Sequence, residues 1–307
     1  MLRYVASRLA QGLVVVLGAI AISFLLVNLT GNPADVLGGG FLPPDARAEL
    51  ARSFGYDEPL PARLADYFSG AVRGDFGVSI RTREPAAGLV MEALPNTVLL
   101  VACAMALALA VAVPVSLLSV LRRGRPVDRH VRTGLLLAGS LPDFWVALVL
   151  VLVLSVQLGL LPSVGFTGPG SLVAPACALA LPLVPALVRL LRGALLDVAE
   201  QDFVAALRGR GFGERYILVR HGLRNAMVPF VTLVAFQVGS LLGGTFIVEV
   251  VFGWPGIGTL LAGAVAVRDV ALVQATVVIV AVAYVLLNLA ADLLVAVIDP
   301  RVRVAAR

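Results

Sequence analysis

Six long apolar stretches, separated by polar connections, set the strongest constraint on how this chain folds. Each has at least the roughly 17 residues that a helix needs to cross the hydrocarbon core of a bilayer. Because lipid offers the backbone no hydrogen-bond partners, a stretch of this length inside a membrane must be helical. The predicted spans are Leu9–Leu29, Val98–Val120, Thr133–Leu160, Leu172–Val188, Ala226–Val251 and Ala271–Ile298.

The composition supports lipid as the solvent. Hydrophobic residues make up 60% of the 307 residues and charged residues only 14%, with a mean hydropathy of +0.98. Soluble domains average about 45–50% apolar residues, so this chain exceeds what a water-soluble core absorbs. The sequence therefore predicts an all-α polytopic membrane protein with a single transmembrane domain over residues 1–307. Prolines within several spans predict kinked helices.

Arginines mark alternate connections and predict the orientation. They precede the first span at Arg3 and Arg8, and they recur in the second connection, the fourth connection and the tail. Basic residues near span ends are retained in the cytoplasm, so both termini are predicted to be cytoplasmic. The same charges lie between apolar runs and not on one solvated face, which argues against nucleic acid as a partner.

Two connections are longer than turns. Residues 32–95 are predicted to be extracytoplasmic, with helix-like pieces at 45–54 and 61–70. Residues 189–225 are predicted to be cytoplasmic. There Asp202 is expected to cap a short helix, with Phe203 and Leu207 on one face.

Gly209, Gly211 and Gly213 then interrupt this helix, and a second short helix with Tyr216 and Leu218 is expected to follow. Two amphipathic pieces joined at a bend suit a projection that offers an apolar surface to a soluble partner. The alternative is a basic loop with a helix lying in the membrane interface.

The motifs of this connection resemble the coupling loop of ABC importer permeases in the dipeptide, oligopeptide and nickel class. They are Gln201-Asp202-Phe203-Val204, Arg210-Gly211-Phe212, Glu214-Arg215 and the run from Arg220 to Ala226. Further motifs of this class recur in order along the chain. They are Leu29-Thr30-Gly31-Asn32-Pro33-Ala34, Gly74-Asp75-Phe76-Gly77-Val78-Ser79, Ser140-Leu141-Pro142-Asp143-Phe144-Trp145, Leu158-Gly159-Leu160-Leu161-Pro162, Val248 to Gly258 and Asp299-Pro300-Arg301.

This resemblance, nearest to the B-type permease subunits of dipeptide importers, implies the type I importer permease fold in a bacterial inner membrane. It implies a second related permease, two ABC ATPases that bind ATP and Mg²⁺, and an extracytoplasmic substrate-binding protein as partners, besides membrane lipid. No cofactor is expected in this chain itself. The implied substrates are short peptides, with nickel complexes, glutathione or haem as alternatives within the class.

The resemblance also assigns residues. Contact with the ATPases falls on Asp202, Phe203, Gly211, Phe212, Gly213, Glu214 and Arg215. Apart from the resemblance, the residues themselves make Glu249, Gly243 and Gly244 candidates for the substrate path. For Glu249 the alternative is a structural role at the turn around Trp254. For the two glycines the alternatives are close helix packing at the subunit interface and a bend during gating.

Two other function classes fit the sequence less well. An intramembrane enzyme needs convergent titratable groups, and only isolated Asp143, Asp292 and Glu249 are available. A stand-alone secondary transporter usually has an internal repeat, and no convincing one is found. The sequence has no Gly-x-x-x-x-Gly-Lys loop, and His130 and His221 lack further ligands at metal spacing, so neither ATP hydrolysis nor a metal site is expected.

Overall fold

The computed structural model describes residues 2–29, 43, 59–162 and 164–298. Two short π-helices, Val151–Gln157 and Ile217–Gly222, and a 3₁₀ turn, Pro169–Leu172, accompany the α-helices. The α-helices of the described residues are α1 (Leu2–Leu29), α2 (Leu60–Arg73), α3 (Ala86–Leu121), α4 (Pro126–Gly139), α5 (Asp143–Leu150), α6 (Val173–Ala199), α7 (Asp202–Gly209), α8 (Glu214–Tyr216), α9 (Leu223–Phe252), α10 (Ile257–Ala266) and α11 (Val270–Ile298).

Among the described residues, five helical segments are long and apolar enough to cross a membrane, and a bent pair supplies a sixth if it is counted as one span. The all-α polytopic prediction is therefore confirmed. Outside the described residues lie the helix-like piece predicted at 45–54, most of the motif at 29–34, the motif at 299–301 and the arginines of the tail.

The third span differs from its prediction as one continuous helix from Thr133 to Leu160. Helix α4 ends at Gly139, and α5 with its π-helical continuation leaves at 96° to it. Pro142 occupies the N-cap of α5. A proline disfavours the helical conformation in the residue before it, here Leu141, so the chain turns at this point and does not merely kink.

Contacts divide the chain into two compact units. The first comprises residues 1–96 and 256–286, and its apolar core includes Ile20, Val90 and Leu272. Helix α2 confirms the helix predicted at 61–70. Within this unit the buried Asp269 carboxylate accepts hydrogen bonds from the Ser79 hydroxyl and from the backbone N–H of Leu272, so it caps α11.

The second unit comprises residues 97–255 and 287–307. Helix α6 lies at its centre and packs against α4, α5 and α9. Leu187, Leu191 and Leu195 of α6 are fully buried at a spacing of four residues, which is the spacing of one helix face. Whether residues 1–307 act as one permease domain stays a prediction.

A tight turn ends α9. The backbone N–H of Gly165 donates a hydrogen bond of 2.8 Å to the carbonyl oxygen of Phe252. Gly253 follows with a φ of 56°, and a Cβ placed on it would lie 2.5 Å from Cγ1 of Val164. A left-handed backbone and a close approach both require glycine here.

We expect Gly253→Ala to destabilise the second unit more than Gly165→Ala. Gly165 is also left-handed, with a φ of 82°, but a Cβ there meets no atom within 4 Å. Gly165→Ala should therefore cost only the left-handed strain, about 1–2 kcal/mol. Gly253→Ala should cost about 1–3 kcal/mol more from overpacking. Thermal unfolding in detergent micelles measures both, and equal losses would show that Val164 moves aside freely.

Candidate functional site

Helix α7 begins the glycine-interrupted segment that the sequence singled out. Gln201 occupies its N-cap position, and no side-chain hydrogen bond caps the helix. The expectation that Asp202 is the cap is therefore wrong. Asp202 instead lies in the first turn, where its negative charge interacts favourably with the positive end of the helix dipole.

The end of α7 explains one of the three glycines. The N–H of Gly211 bonds to the carbonyl of Arg208 at 2.9 Å, and the N–H of Phe212 bonds to the carbonyl of Leu207 at 3.2 Å. This pair of bonds is the Schellman motif, whose turning residue is left-handed. Gly211 is that residue, with a φ of 83°, whereas Gly209 and Gly213 have ordinary φ angles. The bend is thus built on Gly211.

An ion pair closes the bend. The Arg208 guanidinium donates to both carboxylate oxygens of Glu214, at 2.5 Å and 3.2 Å. The hydrogen bond to Glu214 raises the pKa of Arg208 above its usual value. Both side chains are about half exposed, so the pair contributes little stability on its own. Its effect is to hold the start of α8 against α7.

A small apolar cluster fixes the segment to α6. Val204 and Ile217 are buried against Val198 near the end of α6, and Leu207 packs against the same cluster. Phe203 and Leu207 lie one turn apart on the same side of α7, as the i to i+4 spacing predicted. Leu207 is partly buried against the cluster, whereas Phe203 remains 36% exposed.

The residues assigned to ATPase contact by resemblance lie together around this bend and are all solvent-exposed. We call them the coupling surface: Asp202, Phe203, Gly211, Phe212, Gly213, Glu214 and Arg215. The Phe212 ring stacks on Tyr216, with centroids 5.2 Å apart, and the Arg210 guanidinium lies over Phe212. The structure thus presents an aromatic and charged surface on a firmly anchored bend. Its contact with an ATPase stays a prediction.

A buried polar cluster that the sequence did not single out lies next to α6. The Asp128 carboxylate is 2% exposed and accepts hydrogen bonds from the Ser119 hydroxyl, from the backbone N–H of Gly124 and from the Arg192 guanidinium. Arg192 also donates to the Ser119 hydroxyl at 2.8 Å. The cluster joins α3, α4 and α6. Its sequence signal is that Asp128 is the one acidic residue among the five arginines of the second connection.

Glu249 of α9 is fully buried within the second unit. Its carboxylate accepts a hydrogen bond of 2.7 Å from the Thr97 hydroxyl, and its backbone carbonyl accepts one of 2.8 Å from the N–H of Trp254. These contacts place it at the turn that ends α9, where the structural alternative put it. A role for Glu249 in the substrate path stays a prediction.

Gly243 and Gly244 lie on an exposed face of α9, and a Cβ added to either meets no atom of the chain within 4 Å. The close helix packing proposed for them therefore does not occur within the described part of this chain. Both their packing role and their substrate-path role stay predictions.

The two histidines lie apart. Nδ1 of His130 is 2.7 Å from the carbonyl oxygen of Pro126, and the His221 ring contacts Tyr216 edge-on. In the described part of the chain, no three His, Cys, Asp or Glu side chains are grouped to hold a metal ion.

Comparison with protein families gives one match that covers most of the second unit. The profile of the binding-protein-dependent transport system inner membrane component matches residues 112–304, which include α6, the coupling surface and α9. The chain belongs to this family. It is therefore a multi-pass inner-membrane permease subunit of an ABC importer, as the motifs indicated.

Curated relatives match the permease along almost its whole length. The glutathione transport system permease protein GsiC of Escherichia coli strain K12 is 36% identical over 309 residues, which cover 99% of each chain. The protein of the same name from Shigella dysenteriae serotype 1 has the same identity and coverage.

Solved structures agree on the fold. A chain of the inward-facing methionine ABC transporter MetNI is 19% identical with a TM-score of 0.54, and it covers 69% of this permease and 96% of that chain. A second crystal form of MetNI gives a TM-score of 0.58 with the same coverage. At this identity the likeness supports the importer permease fold alone.

We expect Gly211→Ala to loosen the bend and Gly209→Ala to leave it intact. Alanine at the left-handed position costs about 1–2 kcal/mol, whereas alanine in a helix is favoured over glycine by about 0.5–1 kcal/mol. Hydrogen exchange of the amides from 202 to 217 measures the difference. Gly211→Ala should speed exchange by about fivefold or more. Equal exchange in both variants would contradict the Schellman assignment.

Proposed function

We propose that this permease imports short peptides, dipeptides or oligopeptides, by alternating access driven by separate ATPase subunits. Two ABC ATPase subunits bind ATP and Mg²⁺, a second related permease completes the pore, and an extracytoplasmic binding protein delivers the substrate. Both termini lie in the cytoplasm, on the side of the coupling surface. The positive-inside distribution of arginine supports this orientation.

The observation that carries the proposal is how the coupling surface is attached to α6. Its apolar anchors, Val204 and Ile217, pack against Val198 of α6, and α6 is also the central helix of its unit. A segment with a fixed bend and a fixed anchor moves as one piece with the helix that it is attached to. ATP-driven closure of the ATPases would therefore displace α6 with the loop and tilt the spans packed around it.

The exposed face of α9 supports a second permease as partner. Gly243 and Gly244 lie on this face next to apolar Ile247, with open space in front of both glycines. Small residues on a membrane helix let another backbone approach closely, and this is how helices associate in lipid.

We expect Phe212→Glu to uncouple ATP hydrolysis from uptake while the protein still inserts into the membrane. An aromatic side chain at the centre of an interface contributes about 2 kcal/mol or more, so binding to the ATPases should weaken by about 30-fold. Uptake into proteoliposomes and ATP hydrolysis by the same complex are measured together. The expected result is reduced uptake per ATP hydrolysed.

Val219→Glu is the matched control, because Val219 lies in the same predicted cytoplasmic connection and is exposed like Phe212, but lies outside the coupling surface. It introduces the same charge and should leave coupling unchanged. Normal uptake by Phe212→Glu, or equal losses in both variants, would contradict the assignment of this loop.

Glutathione is the second candidate substrate, because the curated relatives named above are glutathione permeases. The test is to purify the complex from native membranes, identify the binding protein that accompanies it, and measure its affinity for dipeptides, longer peptides, glutathione, haem and nickel complexes by calorimetry. Tightest binding of dipeptides or longer peptides supports the peptide importer. Tightest binding of glutathione selects the alternative, and recovery of the permease without ATPases or binding protein would contradict the proposed assembly.

A further inference from the structure

A groove of about 240 Å³ lies between α4 and α6 in the second unit. Its volume is many times the ~30 Å³ that one water molecule occupies in the liquid. One end is basic and the walls are apolar. The lining residues are Arg132, Leu135, Leu136, Pro185, Val188, Arg189, Arg192 and Gly193.

The basic end carries more positive charge than the protein neutralises. Arg192 and Arg132 both face the Asp128 carboxylate, at 3.2 Å and 3.9 Å. Arg189 is exposed and makes no ion pair with any residue that the structure describes. The groove thus holds three guanidinium groups, of which two face the one carboxylate and the third has no ion-pair partner among the described residues. Guanidinium groups pair well with phosphate oxygens.

Apolar side chains lie beside these arginines. Leu136 of α4 is 69% exposed and Leu135 beside it is half-buried, whereas Pro185 and Val188 on the α6 side are themselves buried. Exposed leucine on this scale has no favourable partner in water, but an acyl chain can cover it. The groove therefore combines an anion site with a hydrocarbon site.

Its position along the span is that of the membrane boundary. The helical segment Pro169–Ala199 is long and apolar enough to cross a bilayer, and Arg189 and Arg192 lie in its last third. Arginine side chains near the end of a span extend towards the phosphate region. Basic pockets between membrane helices at this level recognise anionic lipid headgroups.

We propose that this groove is a binding site for an anionic phospholipid. Arg132, Arg189 and Arg192 hold the phosphate, and one acyl chain lies along Leu135 and Leu136 of α4 and passes Gly193 of α6. The site does not depend on which substrate the importer carries. Because it adjoins α6 and the Asp128 cluster, a bound lipid would brace α4 against the helix that carries the coupling surface.

Native mass spectrometry of the purified, delipidated importer complex tests the charge contacts. Phosphatidylglycerol and phosphatidylcholine are titrated separately, and the dissociation constant of the tightest site is measured. We expect phosphatidylglycerol to bind more tightly. Arg189→Gln should weaken this binding by about fivefold and the pair Arg132→Gln with Arg189→Gln by about 25-fold, since each basic residue near anionic lipid contributes about 1 kcal/mol.

Arg129→Gln is the matched control. Arg129 lies on α4, about one helical turn before Arg132. It is exposed and does not line the groove. This variant loses the same charge and should retain the affinity of the unmodified complex. An equal loss in Arg129→Gln and Arg189→Gln would mean a diffuse charge effect and would overturn the site.

A second pair of variants tests the hydrocarbon contact. Gly193 lines the groove and Gly134 does not, yet a Cβ added to either meets no atom within 4 Å. Gly193→Leu should fill the groove and weaken phosphatidylglycerol binding by at least tenfold, whereas Gly134→Leu should not. Equal affinity for both lipids, or unchanged affinity in Gly193→Leu, would overturn the proposal. So would cross-linking that shows a protein subunit covering Arg189 in the complex.

Discussion

A backbone in lipid must satisfy its hydrogen bonds without water, and the rest of this structure depends on that constraint. Long helices satisfy it over most of the chain. Breaks occur where other groups supply the missing contacts or where the chain reaches the ends of spans. At the end of α9 the turn at Gly253 is supported by the hydrogen bond from Gly165 to Phe252. At Gly211 the Schellman bonds take up the last carbonyls of α7. These two turns are therefore specified as closely as the helices.

The central position of α6 connects the spans with the exposed coupling surface. One face of α6 carries fully buried leucines, and its end supplies Val198 to the cluster that fixes Val204 and Ile217. Arg192 of the same helix enters the Asp128 cluster. A helix held in both ways has little freedom to move independently of its neighbours. A force on the bend is thus passed to packed helices and is not absorbed by a flexible loop.

In the second unit, the buried carboxylates of Asp128 and Glu249 have hydrogen-bonding partners that offset part of the free energy lost when a carboxylate leaves water. Asp128 is paired with Arg192 and Ser119, and Glu249 accepts a hydrogen bond from Thr97. An unpaired charge in such a place would be strongly unfavourable. Removing one member of such a pair would leave the other buried and uncompensated. These side chains therefore constrain which arrangements of helices the chain can adopt, whatever further part Glu249 has in transport.

The sequence by itself determined the features that depend on neighbouring residues. Apolar length gave the spans, the glycine run gave the bend between two short helices, and the ordered motifs gave the family.

Tertiary structure decided what depends on residues far apart in the chain. Asp128 and Arg192 are 64 positions apart, so no local pattern showed that they meet. Helical spacing placed Phe203 and Leu207 on one face, but it could not show that Leu207 is partly buried against Val198 while Phe203 stays exposed. Proline in the third span predicted a kink, whereas the 96° angle between α4 and α5 is known only from the structure, in which both helices pack on α6. Helical periodicity depends only on residues close in sequence, whereas the side chains that pack against each residue are set by the whole fold.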